Sequence, residues 1–133
     1  MPTVSFDHIE LGHSYSRQAL ARLWGYRGIQ ALARGIVTAR GERHIILFIT
    51  REKQPSQEQY EDVLEDGHLR CEGPTDHYAE DRMIRAEQTG DENYLFYRDR
   101  HHSDFTYCGR LRVESVIRHT DRPSRFVFRL IDL

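Results

Sequence analysis

The sequence predicts an α+β fold, a small mixed β-barrel with two flanking helices. Three observations carry that expectation. Apolar stretches of strand length recur along the chain, several of them bounded by turn signals. Helical spacing is confined to two stretches, one ending near Trp24 and one near Thr89. The closing stretch, Arg125 to Ile131, alternates almost perfectly, with Phe126, Phe128 and Leu130 expected inward. Short strands joined by hairpins favour a small mixed barrel over a doubly wound parallel sheet.

Taken in order, residues 1–13 read as an irregular N-terminal arm broken at Gly12, and residues 14–133 as one domain. Ser14 or Ser16 can cap a short helix whose apolar side holds Ala19, Leu20, Leu23 and Trp24, with Gly25 as its stop. Two strands follow, Gly35 to Ala39 and His44 to Thr50, with Gly41 at the turn. The run from His44 to Ile49 is nearly all apolar, as in a strand covered on both faces. Residues 51–59 are a polar loop. Tyr60–Leu64 and His68–Glu72 flank Asp66-Gly67, a strong hairpin signal. Gly73-Pro74 breaks the chain, a helix runs from about His77 to Thr89, and Gly90 ends it. Asn93–Arg98, Phe105 to about Ile117 and Arg125–Ile131 complete the strands.

The chain has 133 residues, enough for one domain with a real core. Its apolar fraction is only 38%, offset by 7 Tyr, 6 Phe and 1 Trp, which supply much area per residue. No apolar run is long enough to span a membrane, and the N-terminus lacks a basic-then-apolar leader. Cys71 and Cys108 lack a CxxC spacing, so two reduced thiols in the cytoplasm are expected. The net charge of −2 hides an asymmetry. Residues 1–50 carry 3 acids and 6 bases, residues 51–97 carry 13 and 5, and residues 98–133 carry 5 and 8. All basic side chains but Lys53 are Arg, whose planar fork suits phosphates and base edges. Two basic flanks around an acidic middle predict an arginine-lined face beside an acidic pocket; solvated charge on an ordinary surface is the competing reading.

No GxSxG, Walker loop or HExxH motif is present, and no catalytic residue, metal set or cofactor is expected. His101-His102 is the most conspicuous pair, but adjacent residues at a strand end point to opposite faces and make poor joint metal ligands. Beside Arg98 and Arg100 they read better as a polar contact surface. Tyr60 and Asp62 share one face if their segment is a strand. A ring that stacks beside a carboxylate that accepts from an amine suits a flat ligand; core packing plus a surface charge explains them equally. In Glu72 to Arg82, Gly and Pro fix a loop, and Asp76, Glu80 and Asp81 can satisfy the start of the next helix. Phe96 to Arg110 interleaves arginines with aromatics at a hairpin tip, a pattern that suits phosphate contact and base stacking.

In sequence order, Tyr15-x-Arg17, Arg34-Gly35-Ile36-Val37, Tyr60-x-Asp62, Asp66-Gly67-x-Leu69, Glu72-Gly73, Asp81-Arg82, Leu95-Phe96-Tyr97-Arg98, Phe105-x-Tyr107-x-Gly109 and Phe126-x-Phe128 form a series. Over about residues 14–131 this series resembles the PUA-like superfamily domains related to SRA modified-base readers, as found in modification-dependent restriction endonucleases. The resemblance implies a PUA-like (SRA-like) barrel. It implies a non-catalytic module for double-stranded DNA that flips a modified, methylated base into a pocket, in bacterial restriction or phage defence. A nuclease or helicase effector would then be the partner, and no membrane. It places Tyr60 and Asp62 in the base pocket, with His77 or Tyr78 closing it. Arg27, Arg34, Arg98, Arg100, His101 and His102 become the candidate nucleic-acid contacts. An RNA-binding PUA-type protein, or a small metal-assisted hydrolase using the His and acid cluster, stays open as the alternative.

Overall fold

The structure is a computed structural model that describes residues 2–38, 43–51 and 62–132. The expected turn at Gly41 and the candidate Tyr60 lie outside the described residues. The elements are β1 (Ser14–Tyr15), α1 (Arg17–Trp24), β2 (Ile36–Thr38), β3 (His44–Thr50), β4 (Val63–Glu65), β5 (His68–Glu72), α2 (Glu80–Thr89), β6 (Glu92–Arg98), β7 (Phe105–Ile117) and β8 (Arg125–Leu130), with a 3₁₀ turn at Gln30–Leu32. This is an α+β fold with two helices beside one mixed sheet.

Among the described residues, the sheet runs β2-β3-β6-β7-β8-β5-β4, with β1 added on β7. The path is open: β2 and β4 end it and no pairing joins them. The expected barrel is therefore a curved mixed sheet rather than a hydrogen-bonded cylinder. One pairing is parallel, β3 with β6, in register from His44 opposite Glu92 to Thr50 opposite Arg98. Parallel neighbours need a long return connection, and here that return carries β4, β5 and α2. The Asp66-Gly67 turn joins β4 and β5 with φ of 54° and 76° at its two residues, the left-handed pair that a two-residue hairpin requires.

Two apolar clusters lie on opposite faces of the central strands. On one face, Leu20, Ala21 and Trp24 of α1 pack on Val37, Ile46, Phe48, Phe96, Phe105 and Tyr107. Val4 and Ile9 join them, so the segment before β1, though it has no helix or strand, is part of this core. Phe6 stacks on Tyr94 with centroids 3.8 Å apart, and the Trp24 indole donates to the Ser5 carbonyl at 2.8 Å. On the other face, Leu47, Ile49, Leu95, Leu69, Phe126 and Phe128 pack with Met83 and Ala86 of α2. The alternation along β3 supplies both clusters, which is why its sequence reads as a continuous apolar run.

α1 begins at the Ser16 cap, whose Oγ accepts from the Ala19 N–H at 3.0 Å, and stops at Gly25 with φ 83°. Its buried side holds Leu20, Ala21 and Trp24; Leu23, expected inward, is exposed because the helix is rotated to present Ala21 instead. β7 carries a register shift between Val113 and Ser115, so that Val116 packs with Val113 on the α2-face cluster where strict alternation would turn it away. No described helix is long and apolar enough to cross a membrane.

Gly109 on β7 has φ 96°, and a Cβ there would approach the Asp132 Cβ to 2.9 Å and Leu11 Cδ1 to 3.0 Å. Both the left-handed backbone and the close neighbour demand glycine. Gly109→Ala should cost about 1–3 kcal/mol, read as a lower midpoint in urea unfolding; an unchanged midpoint would mean that the segment shifts aside freely.

Candidate functional site

The open path of the sheet leaves a cavity of about 220 Å³ between its two halves. Gly35, Ile36, Leu47, Phe48 and Ile49 of the β2–β3 side line one wall. Asp62, Cys71, Glu72, Gly73 and Pro74 line the opposite wall, with Phe126 and Phe128 of β8. Tyr78 and Met83 close it from the α2 side, and Arg34 stands at its rim. The volume falls below the roughly 300–1,000 Å³ of drug-sized pockets, so a single planar group is the natural occupant.

The walls are apolar and a few polar groups point the way. Asp62 is buried at 5% exposure and its Oδ1 accepts from the Glu72 N–H at 3.2 Å. A carboxylate accepts at up to four lone-pair positions, so it can also receive an amine or ring N–H from a ligand. Asp62 does not lie on a strand as expected; β4 begins one residue later, at Val63. It is the backbone amide at the end of β5 that holds it.

Tyr78 is aimed by its backbone. His77 and Ala79, on either side of it, are both left-handed, with φ of 59° and 61°. Non-glycine residues in that region cost free energy and persist where the surroundings fix them. The Tyr78 hydroxyl bonds the Thr38 hydroxyl of β2, across the open edge. The Arg34 guanidinium lies 4.1 Å from the Tyr78 ring centroid and donates to Asp76 Oδ2 at 2.9 Å. The other Asp76 oxygen accepts from the Tyr78 N–H at 3.1 Å. That backbone bond, with help from Arg34, holds the Asp76 carboxyl below the usual carboxylate range. Asp76 was expected to satisfy the start of α2. It instead ties Tyr78 to Arg34, and α2 starts later than expected, at Glu80, after the left-handed Ala79 and with no side-chain cap.

His77 is not among the residues that line the cavity. Its Nδ1 lies 2.7 Å from Glu80 Oε2. Glu80 is 3% exposed, and its other oxygen receives Arg118 Nε and Ser124 Oγ, each at 2.9 Å. Burial alone would raise this carboxyl, but the bonds from His77, Ser124 and Arg118 outweigh it and the pKa is lowered. Glu80 thus ties α2 to the β7–β8 connection, and His77 holds the Glu80 carboxylate in place.

Of the expected nucleic-acid contacts, only Arg34 adjoins the cavity. Arg27 is exposed in the loop after α1, beside Arg22 and Tyr26. Arg98, Arg100, His101 and His102 gather at the β6–β7 turn. The two histidine rings there are 6.5 Å apart and tilted by 57°, and among the described residues no group of three His, Cys, Asp or Glu could hold a metal. Arg98 is packed rather than free: its guanidinium lies 4.2 Å from the Phe105 ring centroid, and burial lowers its pKa. The sequence reading missed Arg17, which shares that ring, and the cavity residues Cys71 and Phe48. For Arg17 a signal existed, because a basic residue opens a helix where an acid is expected. For Cys71 and Phe48 none did, since core positions and cavity walls have the same pattern.

No family model and no curated protein matches the chain. Among solved structures it is similar to the SRA domain of SUVH5, determined in complex with hemimethylated CG DNA. The TM-score is 0.63 at 17% identity, and the match covers 100% of this chain and 94% of that one. The chain has an SRA-like fold.

The Glu80 network generates a pH dependence. The folded pKa of Glu80 lies below its unfolded value, so its stabilisation is complete above about pH 5 and is lost as pH falls through the folded value. Glu80→Gln should cost about 1–3 kcal/mol at pH 7, with the gap to the wild-type protein narrowing below pH 4. A gap that is constant from pH 7 to pH 3 in thermal unfolding would mean that the charge of Glu80 contributes nothing.

Proposed function

We propose that this SRA-like domain is a non-catalytic reader of double-stranded DNA that takes a modified, flipped base into the cavity between β2–β3 and β5–β8. The observation that carries the reading is a cavity for one planar group with a buried carboxylate, Asp62, in its wall and an oriented ring, Tyr78, at its edge. An extruded base needs this pairing, because it is read by hydrogen bonds to its polar edge and by stacking on aromatic or apolar walls. Asp62 accepts the exocyclic amine of cytosine or adenine. The SUVH5 domain, whose structure holds hemimethylated CG DNA, supports methylated duplex DNA as the substrate class. A setting in bacterial restriction or phage defence, with a nuclease or helicase as effector, follows from the resemblance to readers in modification-dependent restriction enzymes.

Unstacking and unpairing a base costs a few kcal/mol, and stacking on one ring returns about 1–3 kcal/mol. Phosphate contacts must supply the remainder. Fluorescence anisotropy with plain, 5-methylcytosine and N6-methyladenine duplexes tests the reading. The wild-type protein should bind one modified duplex more tightly than the plain one. Tyr78→Ala should lose about 1–3 kcal/mol on that duplex and less on the plain one. Asp62→Asn should reduce the preference for the modified base. Equal affinity for all three duplexes, or tighter binding to RNA, overturns the proposal and favours a PUA-type RNA-binding protein.

A further inference from the structure

Several arginines of this chain are answered by carboxylates. Arg34 pairs with Asp76 at 2.9 Å, Arg82 with Asp91 at 3.2 Å, Arg110 with Glu92 and Asp132 at 2.9 and 2.7 Å, and Arg118 with Glu80 and Asp81 at 2.9 Å each. Arg17 and Arg98 are not: among the described residues neither has a carboxylate at ion-pairing distance. Arg17 donates Nε to the Leu32 carbonyl at 2.7 Å, and Arg98 donates Nε to Thr50 Oγ1 at 2.8 Å and Nη1 to the Ser103 carbonyl at 3.0 Å. Both terminal amino groups of Arg17, and Nη2 of Arg98, have no acceptor among the described residues.

The two guanidiniums lie against one ring, 4.9 Å and 4.2 Å from the Phe105 centroid, and Arg17 is also 4.7 Å from that of Phe48. Both side chains are partly exposed, so a ligand can reach them. Burial and the charge of Arg98 both lower the Arg17 pKa, so the pair is held together against repulsion. The first turn of α1 has no acidic residue, and its positive end adds to the same corner. Two fixed cations with open donors and no counterion describe a site for an anion from outside the chain.

We propose that Arg17 and Arg98 form a phosphate clamp for the nucleic-acid backbone, a site that takes phosphodiester oxygens. The inference rests on the duplex-reading function proposed above for the source of the phosphate. The guanidinium fork matches phosphate oxygens, and the Phe48 and Phe105 rings hold each fork in place without using its terminal donors. Phe48 carries Arg17 on the α1 face of the sheet, while its neighbours Leu47 and Ile49 turn to the other face and line the cavity.

The experiment measures affinity for plain and methylated duplexes across a range of KCl, for the wild-type protein, Arg17→Gln, Arg98→Gln and the double variant. Each lost contact should lower the slope of log affinity against log salt by about 0.9. Both duplexes should weaken by the same factor, so the preference for the modified base stays. A folded double variant with an unchanged slope overturns the clamp. Because Arg17 also braces Leu32, arginine Nε–H resonances of the wild-type protein give a second readout. Those of Arg17 and Arg98 should shift on addition of plain duplex. No shift, or a shift with inorganic phosphate but none with duplex, also overturns it. A wild-type protein that shows no preference between duplexes, while the slope still drops in the variants, removes the base-reading function and leaves the clamp standing.

Discussion

The parallel pairing of β3 with β6 is the constraint on which the rest of this fold depends. Two strands that run the same way side by side cannot be joined by a tight turn. The chain must leave the end of β3 and return to the start of β6, and it uses the return to place β4, β5 and α2. β5 then pairs with β8 at the far side of the sheet, which brings its end round to face β2. The cavity is the gap between those two sides. The same pairing sets the ends of β3 and β6 next to each other, with Thr50 opposite Arg98 and bonded to its Nε at 2.8 Å. One long-range register thus fixes both the cavity and the arginine corner.

The charge pattern has a different meaning in three dimensions than along the chain. Two basic flanks around an acidic middle suggested a broad arginine face beside an acidic pocket. The fold instead threads acids from the middle among flank arginines. Arg34 meets Asp76, Arg110 meets Glu92, and Arg118 meets Glu80 and Asp81. Pairs of this kind at the surface add little stability individually, but they cancel the field that a basic face would project. Arg17 and Arg98 are among the arginines left without a carboxylate, and they are the two that share a ring. A few fixed phosphate contacts orient a duplex better than a diffuse field, because they set its register.

Local chemistry made much of this fold legible. β3 and β7 were readable to their ends, because β-branched and aromatic runs bounded by polar turns have few other solutions. Ser16, Gly25, Asp66-Gly67 and Gly90 marked their caps and turn for the same reason. What sequence could not show is set by distant partners. The parallel register is one case, since nothing in His44 to Thr50 names its neighbour. The start of α2 is another: His77 and Asp76 look like helix-start residues, but they bond Glu80, Arg34 and the Tyr78 amide in a turn where His77 and Ala79 are left-handed. Of the candidate pocket residues, Asp62 and Tyr78 come together and His77 does not. Asp62 was singled out by a strand face shared with Tyr60, although β4 starts only at Val63, and Tyr78 by the resemblance that let it close the pocket.

Asp62, Tyr78 and Arg17 share a property that argues for selection by a ligand rather than by stability. A carboxylate at 5% exposure, a tyrosine held between two left-handed residues and a guanidinium pressed towards another each raise the free energy of the folded chain. Local bonds offset part of these costs, as where Asp62 accepts from the Glu72 N–H. Glu80 is as buried as Asp62 but is enclosed by His77, Arg118 and Ser124. The aromatic stack from Phe6 through Tyr94 and Phe96 to Phe48, with the α1 core around it, supplies the stability that tolerates the exceptions. Residues that break local rules tend to mark functional positions. Asp62 and Tyr78 lie at the cavity on the α2 face of the sheet, and Arg17 on the α1 face. In the proposed complex a flipped base would add a ligand partner to the carboxylate and the ring, and phosphates would answer the guanidiniums of Arg17 and Arg98.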